Sequence, residues 1–227
     1  MLRRSWFILA PALTVAWSAT PKTRIALAGD STVTDKAGWG AAFAKLLAPE
    51  AECLNFAASG RSSKSFRDEG RWQKVLASKP AFILIQFGHN DMPGKGPERE
   101  TDPATTFQEN LSRYIDDARA VQAQPILVTS LARRVFENGK LRGELRPWAD
   151  ATAKVAQDKK VPLVDLFARS MALHEKLGQE KSDAFNPPSR SGKTDRTHLN
   201  PYGAQIIAQI IAEELRKVAP ECARLIR

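Results

Sequence analysis

Residues 81–87, Ala-Phe-Ile-Leu-Ile-Gln-Phe, constrain the fold more than any other stretch of this chain. The run is apolar almost without a break and lies between Pro80 and Gly88. A strand with one wet face alternates polar and apolar residues. A continuous apolar run of this length fits a strand buried on both faces of a parallel sheet. Such a sheet needs crossover connections that place helices on its faces. The chain supplies them in alternation. Residues 24–29, 53–57, 125–130 and 161–166 read as further short strands. Helical spacing falls between them. In 38–47, Trp39, Phe43, Leu46 and Leu47 share a face, and 71–78 reads as a short helix. A long amphipathic helix from Pro103 to about Gln122 turns Phe107, Leu111, Tyr114, Ile115 and Ala118 inward. Residues 147–158 and 168–180 also read as helical. A last helix from Pro201 carries Ile206, Ile207, Ile210, Ile211 and Leu215. Asn138-Gly139 marks a type I′ hairpin. The expected fold is α/β: a three-layer α/β/α sandwich with a five-stranded, mostly parallel sheet, similar to flavodoxin.

The first nineteen residues stand outside that pattern. Arg3 and Arg4 are followed by an apolar run from Trp6 to Trp17 and then by small residues. This reads as a signal peptide over 1–19, the alternative being an uncleaved amino-terminal anchor. Residues 20–227 then form a single domain, since no Gly/Ser/Pro-rich linker or internal repeat divides them. The expected location is periplasmic or extracellular, with no membrane anchor left after cleavage and a monomeric chain. The formal charge of +9, two units of which belong to the leader, suits acidic partners or simple solubility. No aromatic-interleaved basic motif points to nucleic acid. Cys53 and Cys222, the only cysteines, form either a disulfide or two separate thiols.

Three strands run into small polar turns: Gly29-Asp30-Ser31-Thr32, Ala58-Ser59-Gly60-Arg61 and Gly88-His89-Asn90-Asp91. Carboxyl ends of parallel strands lie along one edge, where open α/β sheets place their ligands. A fourth polar site, Asp195-Arg196-Thr197-His198, precedes the last helix and can fold back to the same edge. Ester hydrolysis needs a nucleophile, a base and donors for the developing oxyanion. Ser31 supplies the nucleophile, His198 the base and Asp195 the carboxylate that orients the ring. The N–H groups of Ser31 and Gly60 and the amide of Asn90 are the oxyanion donors. Gly29 is expected to turn sharply at positive φ, and Asp30 to bond nearby backbone. His174, set among Leu173, Glu175 and Lys176, reads as an exposed helical residue. Trp39 reads as core.

These blocks resemble the GDSL or SGNH hydrolase superfamily, named for Ser, Gly, Asn and His. Here they stand in order as Ser31, Gly60, Asn90 and His198. Thr32, the Phe-Gly-His-Asn-Asp segment, the Gly-Arg-Ser after the second strand and Arg133-Arg134-Val135-Phe136 are similar to the rhamnogalacturonan acetylesterase branch. The resemblance implies removal of acetate from a pectin sugar through an acyl-enzyme, with no metal or cofactor and an acetylated polysaccharide or oligosaccharide as partner. It leaves open another glycan such as xylan, or a lysophospholipase-like acyl-ester or thioester substrate. His89, Arg61 and Arg133, with Arg134, are the candidate substrate contacts, the pair Arg133-Arg134 reading otherwise as surface. A metallophosphoesterase using Asp30, Asn90, Asp91, Asp195 and His198 is the rival from another class, as is a non-catalytic glycan-binding protein. A dinucleotide-binding reading fails because no Gly-x-Gly-x-x-Gly follows the first strand.

Overall fold

The computed structural model describes residues 21–188 and 192–227. The signal peptide expected over 1–19 lies outside the described residues.

Five parallel strands form the central sheet: β1 (Thr23–Gly29), β2 (Ala51–Asn55), β3 (Phe82–Gln86), β4 (Gln124–Val128) and β7 (Leu163–Val164). Their order is β2-β1-β3-β4-β7. That is the flavodoxin order, which reverses direction between β1 and β3 and opens a crevice at their carboxyl ends. The helices are α1 (Gly40–Ala44), α2 (Ser65–Asp68), α3 (Arg71–Ala77), α4 (Thr106–Ala120), α5 (Arg146–Lys159), α6 (Leu166–Asp183), α7 (Pro201–Val218) and α8 (Pro220–Ala223).

Strand periodicity divides the core in two. Ile25 and Leu27 of β1 point to one face, with Leu84, Ile126 and the buried stripes of α1 and α7. Ala26 and Ala28 point to the other, with Ile83, Ile85 and the inner residues of α3, α4 and α5. Successive side chains of a strand point to opposite faces, so a sheet covered on both sides needs the unbroken apolar runs seen in β1 and β3. Each fully buried aliphatic or aromatic side chain contributes about 1.5–3 kcal/mol.

The hairpin forms at its expected place as β5 (Phe136–Glu137) and β6 (Lys140–Leu141), with Asn138 and Gly139 at φ 50° and 76°. Some boundaries differ from expectation for local reasons. α4 starts at Thr106 instead of Pro103. The Asp102 carboxylate accepts the Ala104 N–H at 2.6 Å, and the Thr106 hydroxyl accepts the Asp102 N–H, so residues 103–105 form a turn. β7 ends at Val164 because Asp165 caps α6, accepting the Ala168 N–H at 3.1 Å. α6 continues past a break at Gly178 (φ 70°) to Asp183. That turn back overturns the exposed placement of His174. Its ring is fully buried, 3.1 Å from Ser182 Oγ and edge-on to Phe185, and burial pushes its pKa down to about 4. Gly29 is not at positive φ either. It lacks a side chain because a Cβ there would lie 2.6 Å from Val33 and 2.8 Å from the Gln86 carbonyl. Cys53 and Cys222 are free thiols, and burial pushes both up to about 12.

Candidate active site

The four polar turns converge at the carboxyl edge of the sheet. β1 ends at Gly29, and Asp30 to Thr34 follow as tight turns, with Val33 N–H donating to the Asp30 carbonyl and Thr34 N–H to that of Ser31. Beneath the turn, the Asp30 carboxylate accepts the Thr32 N–H at 2.8 Å and the Thr32 hydroxyl at 2.7 Å. Thr32 in turn accepts from Gln86 at the end of β3, and Gln86 accepts from the Trp39 indole. This fully buried chain fixes the Ser31 turn to the neighbouring strand. Asp30 is therefore structural and Trp39 is core, as the sequence suggests.

Ser31 Oγ lies 2.8 Å from His198 Nε2, and His198 Nδ1 lies 2.7 Å from Asp195 Oδ2. With the proton on Nδ1, the ring donates to Asp195 and accepts from the serine hydroxyl. Asp195 Oδ1 also accepts the backbone N–H groups of Thr197 and His198, each at 3.0 Å. Burial alone would raise the Asp195 pKa. Those two N–H bonds and the imidazole outweigh it and hold the carboxyl below its ordinary value.

Gly60 follows β2 at φ 78°, a conformation that L side chains rarely adopt. Asn90 follows β3, and its amide donates to the Arg61 carbonyl at 3.1 Å, leaving a second amide N–H. The backbone N–H groups of Ser31 and Gly60 donate to no protein acceptor among the described residues. Ser31, Gly60, Asn90, Asp195 and His198 all line one cavity of about 690 Å³. Its wall also includes Lys36, Ala37, Pro187, Pro188 and Lys193.

The turn carrying Asn90 is anchored through Asp91. This buried carboxyl accepts the N–H groups of Ser63 and Gly88 and the hydroxyls of Ser63 and Thr101. Burial raises its pKa to about 7; the hydrogen bonds from Ser63 and Thr101 oppose that shift, and the nearby Asp30 adds to it.

Residues 25–206 match the model of the GDSL-like lipase/acylhydrolase family. The chain belongs to this family. It is 36% identical over 213 residues to rhamnogalacturonan acetylesterase RhgT of Bacillus subtilis, covering 86% of this chain and 90% of that one. A rhamnogalacturonan acetylesterase of Emericella nidulans is 28% identical, covering 88% of this chain and 87% of its relative. Among solved structures, YXIM of Bacillus subtilis superposes with a TM-score of 0.74 at 26% identity. The match covers 87% of this chain and 57% of that longer one. The acetylxylan esterase Axe2 of Geobacillus stearothermophilus shares the fold at a TM-score of 0.67 and 18% identity, covering 86% and 94%. As a member of the GDSL family with these relatives, the chain is a carboxylic-ester hydrolase.

Within this GDSL hydrolase, the five residues of the four blocks come together and the candidate substrate contacts do not. His89 is buried behind the cavity, its Nδ1 3.3 Å from Asp30 Oδ2 without hydrogen-bond alignment. It and Thr32 outweigh the burial of Asp30 and keep that carboxyl below its ordinary value. Arg61 turns away to Glu69, 2.9 Å distant, and to the Ser59 carbonyl. Arg133 faces Glu144 at 3.7 Å. Arg134, read from the sequence as surface or substrate contact, is fully buried. Each charge finds a protein partner or a buried site that local sequence does not reveal. The cavity's lysines are instead Lys36, five residues after Ser31, and Lys193, two before Asp195. Asp30 and Asp91, two of the rival metal ligands, are committed to buried hydrogen bonds. Among the described residues, no three of His, Cys, Asp and Glu are grouped to hold a metal ion. No helix there is long and apolar enough to cross a membrane.

Proposed function

We propose that this hydrolase removes O-acetyl groups from an acetylated pectin-type polysaccharide, rhamnogalacturonan, through a Ser31–His198–Asp195 mechanism. The observation that carries the reading is the 2.8 Å approach of Ser31 Oγ to His198 Nε2, with Asp195 behind the ring. His198 takes the hydroxyl proton as Ser31 Oγ bonds to the acetyl carbonyl carbon. The N–H groups of Ser31 and Gly60 and the Asn90 amide receive the negative oxygen. The proton passes to the sugar oxygen as the ester bond breaks, leaving acetyl-Ser31. Water, deprotonated by His198, then releases acetate and restores the serine.

The relatives named as rhamnogalacturonan acetylesterases support the substrate. Lys36 and Lys193 give the cavity a basic side that suits a backbone bearing galacturonate carboxylates. Export, read from the basic and apolar opening of the chain, fits an enzyme that meets a polymer outside the cytoplasm. Initial acetate release from acetylated rhamnogalacturonan and acetylated xylan, at matched acetyl concentration, tests the reading. The pectin polymer should react faster, and the preference should shrink with salt as exposed charges are screened over about 10 Å at 0.1 M. Equal or faster release from xylan would overturn the pectin substrate and leave the esterase chemistry standing.

A further inference from the structure

Arg134 is the largest charged side chain fully removed from solvent. It follows β4 on the segment leading to the hairpin; among the described residues it has no carboxylate within ion-pair distance, and it is not part of the cavity wall. Burying a guanidinium is costly unless its donors are used. Nε and Nη2 are used on the loop that carries the catalytic acid and base, while Nη1 finds no partner among the described residues. Arg134 Nη2 donates to the main-chain carbonyl of His198, and Arg134 Nε donates to Asn186 Oδ1 at 2.8 Å. The Arg134 backbone N–H donates to the Arg196 carbonyl at 2.9 Å. Asn186 lies near the start, and Arg196 and His198 near the end, of the connection between α6 and α7. One residue therefore grips both arms.

The grip extends outward. Asn186 donates to Asp183 at 2.7 Å, and Arg196 makes a two-pronged pair with the same carboxylate at 2.9 and 3.0 Å. Asp183 ends α6, so the loop is bound to that helix through the residues that Arg134 holds. Asn200, at the far end, donates to the carbonyls of Ala184 and Asn186.

We propose that Arg134 is a positioning residue for ester hydrolysis: by clasping both arms of the loop and the His198 carbonyl, it sets the imidazole against Ser31. The inference rests on the triad reading above. The charge has a second consequence. The groups that feel it are Asp195 and Asp183, which favour the cation, and Arg196 and His174, which do not. Burial lowers its pKa to about 10, so it stays protonated at neutral pH. A fixed cation beside Asp195 opposes part of the negative charge that would otherwise favour imidazolium.

The test uses the full chain, p-nitrophenyl acetate as a small neutral probe, and the variants Arg134→Met, Arg134→Lys and Ser31→Ala. Arg134→Met should lower kcat on the order of a hundredfold, the scale of a misplacement of about 1 Å, with KM changed less than about twofold. The acid limb of its kcat/KM profile should move to higher pH. Arg134→Lys keeps the charge but cannot reach both arms with a planar fork. Its kcat should fall by about tenfold while the acid limb stays in place. If Arg134→Met does not fold, the Lys variant alone decides, since its charge is retained and its kcat loss is the positioning effect. Wild-type kcat in either folded variant, or a lower melting temperature with kcat and pH profile unchanged, would overturn the proposal. Ser31→Ala separates the two claims. Retained turnover there removes the triad reading itself, whereas a dead Ser31→Ala beside a wild-type Arg134→Met removes only the role of Arg134.

Discussion

At the scale of single residues, the site depends on small groups held by larger buried ones. Asn90 shows this most simply. One amide N–H is spent on the Arg61 carbonyl, and that bond aims the other toward the cavity beside Ser31. A donor placed for charge that exists only in the transition state stabilises that state and not bound substrate. Asn90→Ala should therefore lower kcat far more than it raises KM, by the ~2.7–4 kcal/mol typical of one lost oxyanion donor. Steady-state kinetics on p-nitrophenyl acetate measure the split; an effect confined to KM would recast Asn90 as a ground-state contact. The convergence of residues set by local sequence was legible in advance. Ser31, Gly60, Asn90, Asp195 and His198 each follow a strand or precede a helix at a recognisable turn. Roles set by distant partners were not. Nothing near Arg61 announces its pairing with Glu69, and nothing near Arg134 shows that a loop about fifty to sixty residues later will enclose it.

At the scale of elements, the loop carrying Asp195 and His198 is held between two helix ends. Asn200 caps α7, accepting the Gly203 N–H at 2.8 Å, and Pro201 opens the first turn with the φ a helix needs. Loss of such a cap costs about 1 kcal/mol, within a range of about 0.5–2. Asn200→Ala should sit at the upper end of that range, because Asn200 also donates to the carbonyls of Ala184 and Asn186. Urea denaturation should show a lower midpoint with an unchanged m-value; an unchanged midpoint would mean that other contacts hold this end of the loop. The long apolar runs of β1 and β3 and the apolar spacing of α4 and α7 made these elements legible, α4 with its inward face. Those whose limits depend on one residue, through a side chain bonding nearby backbone or a glycine at positive φ, were misjudged at their ends. Asp102 delays α4, Asp165 shortens β7, and Gly178 folds α6 back over His174.

At the scale of the whole molecule, the order β2-β1-β3-β4-β7 places the turns after β1 and β3 side by side at the point where the sheet reverses. The strand pattern made the layered α/β architecture legible. It did not reveal that a buried carboxyl beneath that crevice couples global stability to pH. Burial raises the Asp91 pKa from 3.8 to about 7, so the folded chain keeps a proton there that the unfolded chain releases. Stability from this group is full below the unfolded value and declines as pH rises from 3.8 to about 7, levelling off above. Asp91→Asn removes the titration while placing an amide among donors, so it should be less stable throughout. The informative quantity is slope: the stability advantage of the wild type over Asp91→Asn should shrink as pH rises across that window. An advantage that grows with pH would mean the hydrogen bonds from Ser63, Gly88 and Thr101 outweigh burial and keep the carboxyl ionised.

The central claim is that Ser31 is the nucleophile of an ester hydrolase whose base is His198. Labelling the intact protein with a serine-directed fluorophosphonate, followed by peptide mapping and paired with turnover of Ser31→Ala, tests it most directly. The account predicts a single label on Ser31, together with a folded Ser31→Ala that neither labels nor releases acetate. A label on another residue, or substantial acetate release by the folded Ser31→Ala protein, would contradict it.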